Sequence, residues 1–141
     1  MQISDVMTPE PRTVRPGDTI QNAAKLMDEL NVGVLPVTDG GQLIGIITDR
    51  DIVVRSTSAG QDPRNATVAD AMTGEAHTVS ADAPVLAAIR MMKEQQLRRI
   101  PVVDGTGALV GIVSLGDLAD AGTPEAGDAL EAISTPAEPD R

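Results

Sequence analysis

The chain has 141 residues, the length of one ordinary domain or of two halves sharing a core, and 41% of them are hydrophobic. It has no Phe, Trp or Tyr, no Cys and a single His, which excludes base-stacking platforms for single-stranded nucleic acid, disulfide frameworks, thiolate nucleophiles and a His-built zinc centre. The net charge of −10 repels phosphate backbones and anionic membranes, and no stretch approaches the ~18 apolar residues of a membrane helix, so the reading is a soluble cytoplasmic protein with neither a nucleic-acid nor a membrane partner.

An internal repeat sets the order of elements. Asp5-Val6-Met7-Thr8 returns as Asp70-Ala71-Met72-Thr73, Thr13-Val14 as Thr78-Val79, and Pro36-Val37 as Pro101-Val102, each 65 residues on (72 − 7). Past the turn Asp39-Gly40-Gly41, answered by Asp104-Gly105-Thr106-Gly107, the offset is 66 (117 − 51), as if one residue entered a surface turn. The expected organisation is repeat 1 with its lead-in over 1–55, a polar linker over 56–67, repeat 2 over 68–120, and a tail over 121–141 that is loose or forms a short docked helix.

Each repeat opens with the short Thr-Val strand. A helix follows, with Ile20, Ala23, Ala24, Met27 and Leu30 on one face in the first copy and Val85, Ala88, Ile89 and Met92 in the second. Asp18 with Gln21 suits the first helix start, and Asp82 with Pro84 suits the second. β-Branched runs at 34–38 and 43–48, and again at 100–103 and 109–114, flank Gly-containing turns and predict hairpins. Short helices at about 49–55 and 115–119 complete each copy. The fold class is therefore α/β (α+β), two βαββα repeats. Leu26 and Met91 flank the core stripes at equivalent positions (91 − 26 = 65) and are expected to face a second copy in a homodimer.

The segment with chemical content is Gly45-Ile46-Ile47-Thr48-Asp49-Arg50-Asp51, repeated as Gly111-Ile112-Val113-Ser114-Leu115-Gly116-Asp117. A hydroxyl stands where a strand passes into a helix, with a carboxylate three residues on. This arrangement suits a nucleotide, with an anion at the helix start and ribose hydroxyls on the carboxylate, but taken alone it is better read as a capping box that only satisfies backbone donors. Asp49 and Asp51 around Arg50 read as a solvated helix start and not as a magnesium site. His77 reads as a surface residue.

The full pattern is apolar-Pro-Val-x-Asp, a Gly turn, then Gly-apolar-apolar-Thr/Ser-x-x-Asp-apolar, present twice. It resembles a tandem pair of CBS repeats, or Bateman module, over about 3–119, and the chain is similar to stand-alone bacterial two-repeat members. The resemblance implies two repeats related by a pseudo-twofold axis with clefts between them, and a regulatory, non-catalytic module binding AMP, ADP, ATP or a related adenosyl ligand. S-adenosylmethionine and NAD rank below these, and no further cofactor is required. It implies that Asp51 and Asp117 take ribose hydroxyls, that Thr48 and Ser114 lie against ribose or phosphate, and that Thr13, Val14, Thr78 and Val79 border the base. Backbone near Val34-Leu35 and Arg99-Ile100 would read the base edge. Gly33-Val34 stands against Arg98-Arg99, so the two clefts are expected to be unequal, with Arg99 reaching a phosphate and Arg98 assisting. A ligand-independent dimeric scaffold or protein-interaction module is the alternative, and the protein target of either is unknown.

Overall fold

The computed structural model describes residues 1–122. The expected tail, from 123 onward, lies outside the described residues. In chain order the elements are β1 (Thr8–Pro9), α1 (Ile20–Leu30), β2 (Val34–Asp39), β3 (Gln42–Thr48), α2 (Asp49–Asp51), α3 (Val68–Ala71), β4 (Val79–Ser80), α4 (Val85–Gln95), β5 (Arg99–Val103), β6 (Leu109–Ser114) and α5 (Leu115–Asp120). A 3-10 turn spans Ile3–Asp5, and a π-helical stretch over Ile52–Thr57 continues α2. The mixed α/β class is as expected.

The chain folds as two compact units. One contains Met1–Glu10, His77–Thr106 and the described residues from Val110 on; the other contains Pro11–Ala76 with Gly107–Leu109. These units cut across the repeats, because the lead-in of repeat 1 joins the strands of repeat 2, and Asp70-Ala71-Met72-Thr73 joins the strands of repeat 1. Two strand glycines make this possible. A Cβ at Gly111 would run into the Met7 side chain and the Thr8 carbonyl, and one at Gly45 would run into the Thr73 carbonyl. Each Gly is therefore the place where a Met-Thr segment lies directly on a strand.

In the first unit the sheet order is β1-β6-β5-β4, with β1 antiparallel to β6 and β4 parallel to β5. The second unit has the same plan with shorter edges. There β2 and β3 pair from Val34↔Thr48 to Asp39↔Gln42, flanked by single bridges Val14↔Val37 (parallel) and Ile46↔Thr73 (antiparallel). The leading strand of repeat 1 is thus reduced to one bridge. Each unit has its own core. Ile3, Val85, Ile89, Met92, Ile100, Val113 and Leu118 fill the first; Ile20, Ala23, Met27, Leu35, Val37, Ile47 and Val68 fill the second.

Several sequence expectations need correction. The N-cap of α1 is Thr19, whose hydroxyl accepts from the Asn22 N–H at 3.1 Å, while the Asp18 carboxylate accepts from the Arg15 N–H at 2.9 Å. The buried stripe of α1 is Ile20, Ala23 and Met27, leaving Ala24 and Leu30 exposed, because Ala24 lies to one side of the stripe and Leu30 at its end. Leu26 and Met91 are partly buried and pack on the cores of their own units, so less of each is exposed than the expected dimer face implied. Among the described residues the large apolar side chains at the surface are Met1, Leu30, Val53, Val54 and Leu86.

Candidate functional site

In both repeats the strand-to-helix junction is a complete capping box. The Thr48 hydroxyl accepts from the Asp51 N–H at 3.0 Å, and Asp51 Oδ2 accepts from the Thr48 N–H at 3.0 Å. The Ser114 hydroxyl accepts from the Asp117 N–H at 3.0 Å, and Asp117 Oδ2 accepts from the Ser114 N–H at 2.9 Å. The backbone at Thr48 and Ser114 stays extended while the next residue turns helical. Each hydroxyl and carboxylate is thereby fixed at a helix start, where free N–H groups favour negative charge.

The junctions differ in what surrounds them. In the first unit the Leu115 N–H donates to the Arg98 carbonyl at 2.9 Å. That bond ties the entry of β5 to the start of α5, and the exposed side chains of Arg98 and Arg99 meet Ser114, Leu115, Gly116 and Ala119 around a cavity of about 370 Å³. In the second unit the equivalent bond runs from the Asp49 N–H to the Gly33 carbonyl at 2.9 Å. A Cβ at Gly33 would lie 3.0 Å from Asp49 Oδ2, so a carboxylate occupies the approach where repeat 2 has two guanidiniums and a buried Leu115. For an anionic ligand the two approaches have opposite sign.

The remaining predicted residues fall as follows. Asp117 does not line the arginine cavity; it borders a second hollow of about 310 Å³ with Asp5, Val6, Asp120 and Ala121. Thr13 lines a hollow of about 380 Å³ with Arg15, Thr38, Asp39, Gly40 and Gly41, apart from Thr48 and Asp51. Val14 and Val79 are buried core residues paired with Val37 and Val102. Leu35 and Ile100 are buried as well, so only their backbone is open to a ligand role. Val34 is half-buried and pairs with Thr48, and Thr78 is half-buried beside Val79. Sequence reasoning missed Leu115, Gly116 and Ala119 as cavity walls, and Arg55 and Thr73 as neighbours of Asp51. The four-residue spacing of Asp51 and Arg55 on one short helix was the available signal.

Residues 3–57 and 68–123 each match the CBS domain model. The chain belongs to the CBS-domain family. Its relatives include the CBS domain-containing protein YhcV of Bacillus subtilis, 42% identical over 94% of both chains. Among solved structures, Hypoxic Response Protein I, a protein of Mycobacterium tuberculosis determined with two coordinated zinc ions, is 36% identical with a TM-score of 0.77, covering 85% of this chain and 98% of that one. Arabidopsis thaliana CBSX2 in complex with AMP is 29% identical with a TM-score of 0.76, covering 86% and 95%. As a CBS pair, the chain carries the repeated Thr/Ser-x-x-Asp in both copies and paired arginines in one. No helix among the described residues is long and apolar enough to cross a membrane.

Proposed function

We propose that this CBS pair is a regulatory module without catalytic activity that binds an adenine nucleotide, AMP foremost, at the β6–α5 junction of repeat 2. The observation that carries the reading is the cavity on which Arg98, Arg99 and Ser114 converge. In a chain of net charge −10, a phosphate needs local cations, and here two guanidiniums adjoin a helix start. Arg99 and Arg98 take the phosphate in that cavity; on this reading the ligand reaches from there past the start of α5 to the hollow at Asp117, where Asp117 takes the ribose hydroxyls, with Thr78 and the backbone at Ile100 against the base. The AMP complex of CBSX2 supports the choice of ligand. Zinc is present in the mycobacterial relative; this chain has one His and no Cys, and among the described residues no group of three His, Asp or Glu side chains is placed to hold a metal ion.

A second reading has its own observation. Both capping boxes are complete in the absence of ligand, so the motif is accounted for by a scaffold that binds nothing. Thermal-shift measurements with AMP, ADP, ATP, S-adenosylmethionine and NAD separate the two. A ligand at a hundredfold excess over its dissociation constant adds about 2.7 kcal/mol of stability. A shift with AMP supports the nucleotide reading, and no shift with any of the five favours the scaffold.

A further inference from the structure

We infer that Arg55 acts as a built-in occupant of the repeat 1 carboxylate, so that the chain has one working ribose acceptor, Asp117, and a second that Arg55 keeps closed. The inference rests on the nucleotide reading above and decides which repeat carries it out.

A carboxylate offers about four lone-pair positions, and a ribose diol needs two of them. The Asp51 side chain is only 14% exposed, and its oxygens are engaged from three directions. Oδ2 accepts from the Thr48 N–H at 3.0 Å and from the Thr73 hydroxyl at 3.4 Å; Oδ1 lies 3.5 Å from the same hydroxyl and 3.9 Å from Arg55 Nε. Arg55 is itself anchored, since Nη1 donates to the Met72 carbonyl at 3.0 Å and reaches the Ala71 carbonyl at 3.5 Å. The guanidinium thus bridges the carboxylate and the chain that leaves α3, and holds both in place.

Repeat 2 lacks this device. The residue that answers Arg55 is Ala121 (55 + 66), and the one that answers Thr73 is Thr8 (73 − 65). Asp117 Oδ2 accepts from the Ser114 N–H, and among the described residues no donor reaches its other oxygen. Where Arg55 would lie there is a hollow of about 310 Å³ beside Asp117, lined also by Asp5, Val6, Asp120 and Ala121. The same motif is therefore closed by its own chain in one copy and open in the other.

Calorimetric titration of the full chain with adenosine, which carries no phosphate and so reports the ribose acceptors alone, tests this. The wild type is expected to take one adenosine per chain, and Arg55→Ala to take two. Arg55→Gln, which keeps a donor for the Met72 carbonyl without the charge, is expected to do the same, and circular dichroism establishes that each variant is folded. Adding Asp51→Ala to Arg55→Ala should return the count to one, an effect that a merely structural role for Arg55 would not produce. One adenosine per chain in both folded Arg55 variants, or two in the wild type, overturns the inference while leaving the nucleotide reading intact. Adenosine left unbound by the wild type overturns the inference, and AMP left unbound as well overturns both.

Discussion

The sharpest test of how the chain is assembled is to place a methyl group on Gly45. The Ile46 N–H donates to the Thr73 carbonyl at 3.0 Å and the Thr73 N–H donates to the Ile46 carbonyl at 2.8 Å, and the added Cβ would sit on that same Thr73 oxygen. Gly45 is buried, so the Thr73 segment must lift off β3. Forced overpacking costs about 1–3 kcal/mol, and two weakened backbone hydrogen bonds add about 0.5–1.5 kcal/mol each. Restricting the unfolded chain returns about 0.4–1 kcal/mol. The balance is a loss of about 3 kcal/mol, and at ~4 °C per kcal/mol for a chain of this size Gly45→Ala should melt roughly 12 °C lower. Gly111→Ala provides the internal comparison. Its Cβ meets chiefly the Met7 side chain, which is flexible and can swing aside, with the Thr8 carbonyl at 3.0 Å, so about half that loss is expected. Melting followed by circular dichroism or calorimetry measures both. A Gly45→Ala melting point within 2 °C of wild type, or a larger loss for Gly111→Ala, would refute the docking of Thr73 on β3.

Three further outcomes follow from single residues. Arg99→Ala should weaken AMP by about 1.5–3 kcal/mol, the worth of a charge-assisted hydrogen bond, while adenosine binds nearly as before; equal losses for the two ligands in calorimetry would show that Arg99 shapes the cavity without reading phosphate. Asp117→Ala should lower AMP affinity tenfold or more and lower stability by no more than the ~0.5–2 kcal/mol of a lost cap; a melting loss with unchanged affinity would make Asp117 a capping residue only. Gln96 ends α4 in the left-handed region at φ 55°, so Gln96→Gly should stabilise by about 0.5–1 kcal/mol and raise the melting point by ~2–4 °C, and a lowered melting point would count against the assigned helix end.

The hairpins were legible because β-branched residues around a Gly turn allow few other structures: the run at 109–114 matches β6, Leu109–Ser114, and those at 34–38 and 43–48 fall inside β2 and β3. The exchange of lead-ins was not. Periodicity along a chain reports that two segments are similar, and says nothing about which copy's strand each will cover. The short helix α3 also escaped, since four residues carry no periodicity, although Thr67 and Asp70 spell out the capping box that the Asp70 carboxylate completes by accepting from the Thr67 N–H at 3.0 Å. Comparing the copies position by position singled out Arg98 and Arg99. It could not supply the cavity walls, because Leu115, Gly116 and Ala119 are ordinary helix residues until the Arg98 carbonyl is tied to the start of α5.

Capping and ligand binding need not compete for Asp117. The cap uses one carboxylate oxygen, Oδ2, and a helix start needs no more than that. The second oxygen is then held at a fixed distance from the helix axis by a residue whose rotamer the cap has already selected, which is the preorganisation that lowers the entropic cost of binding. In Asp51 the same cap forms with the same geometry, and the second oxygen faces the Thr73 hydroxyl and Arg55. The two carboxylates differ not in how they fold but in what stands beside the oxygen that folding leaves over. What stands beside that leftover oxygen depends on single side chains, Arg55 against Ala121 and Thr73 against Thr8, so these are the positions at which the two copies are expected to differ in ligand capacity.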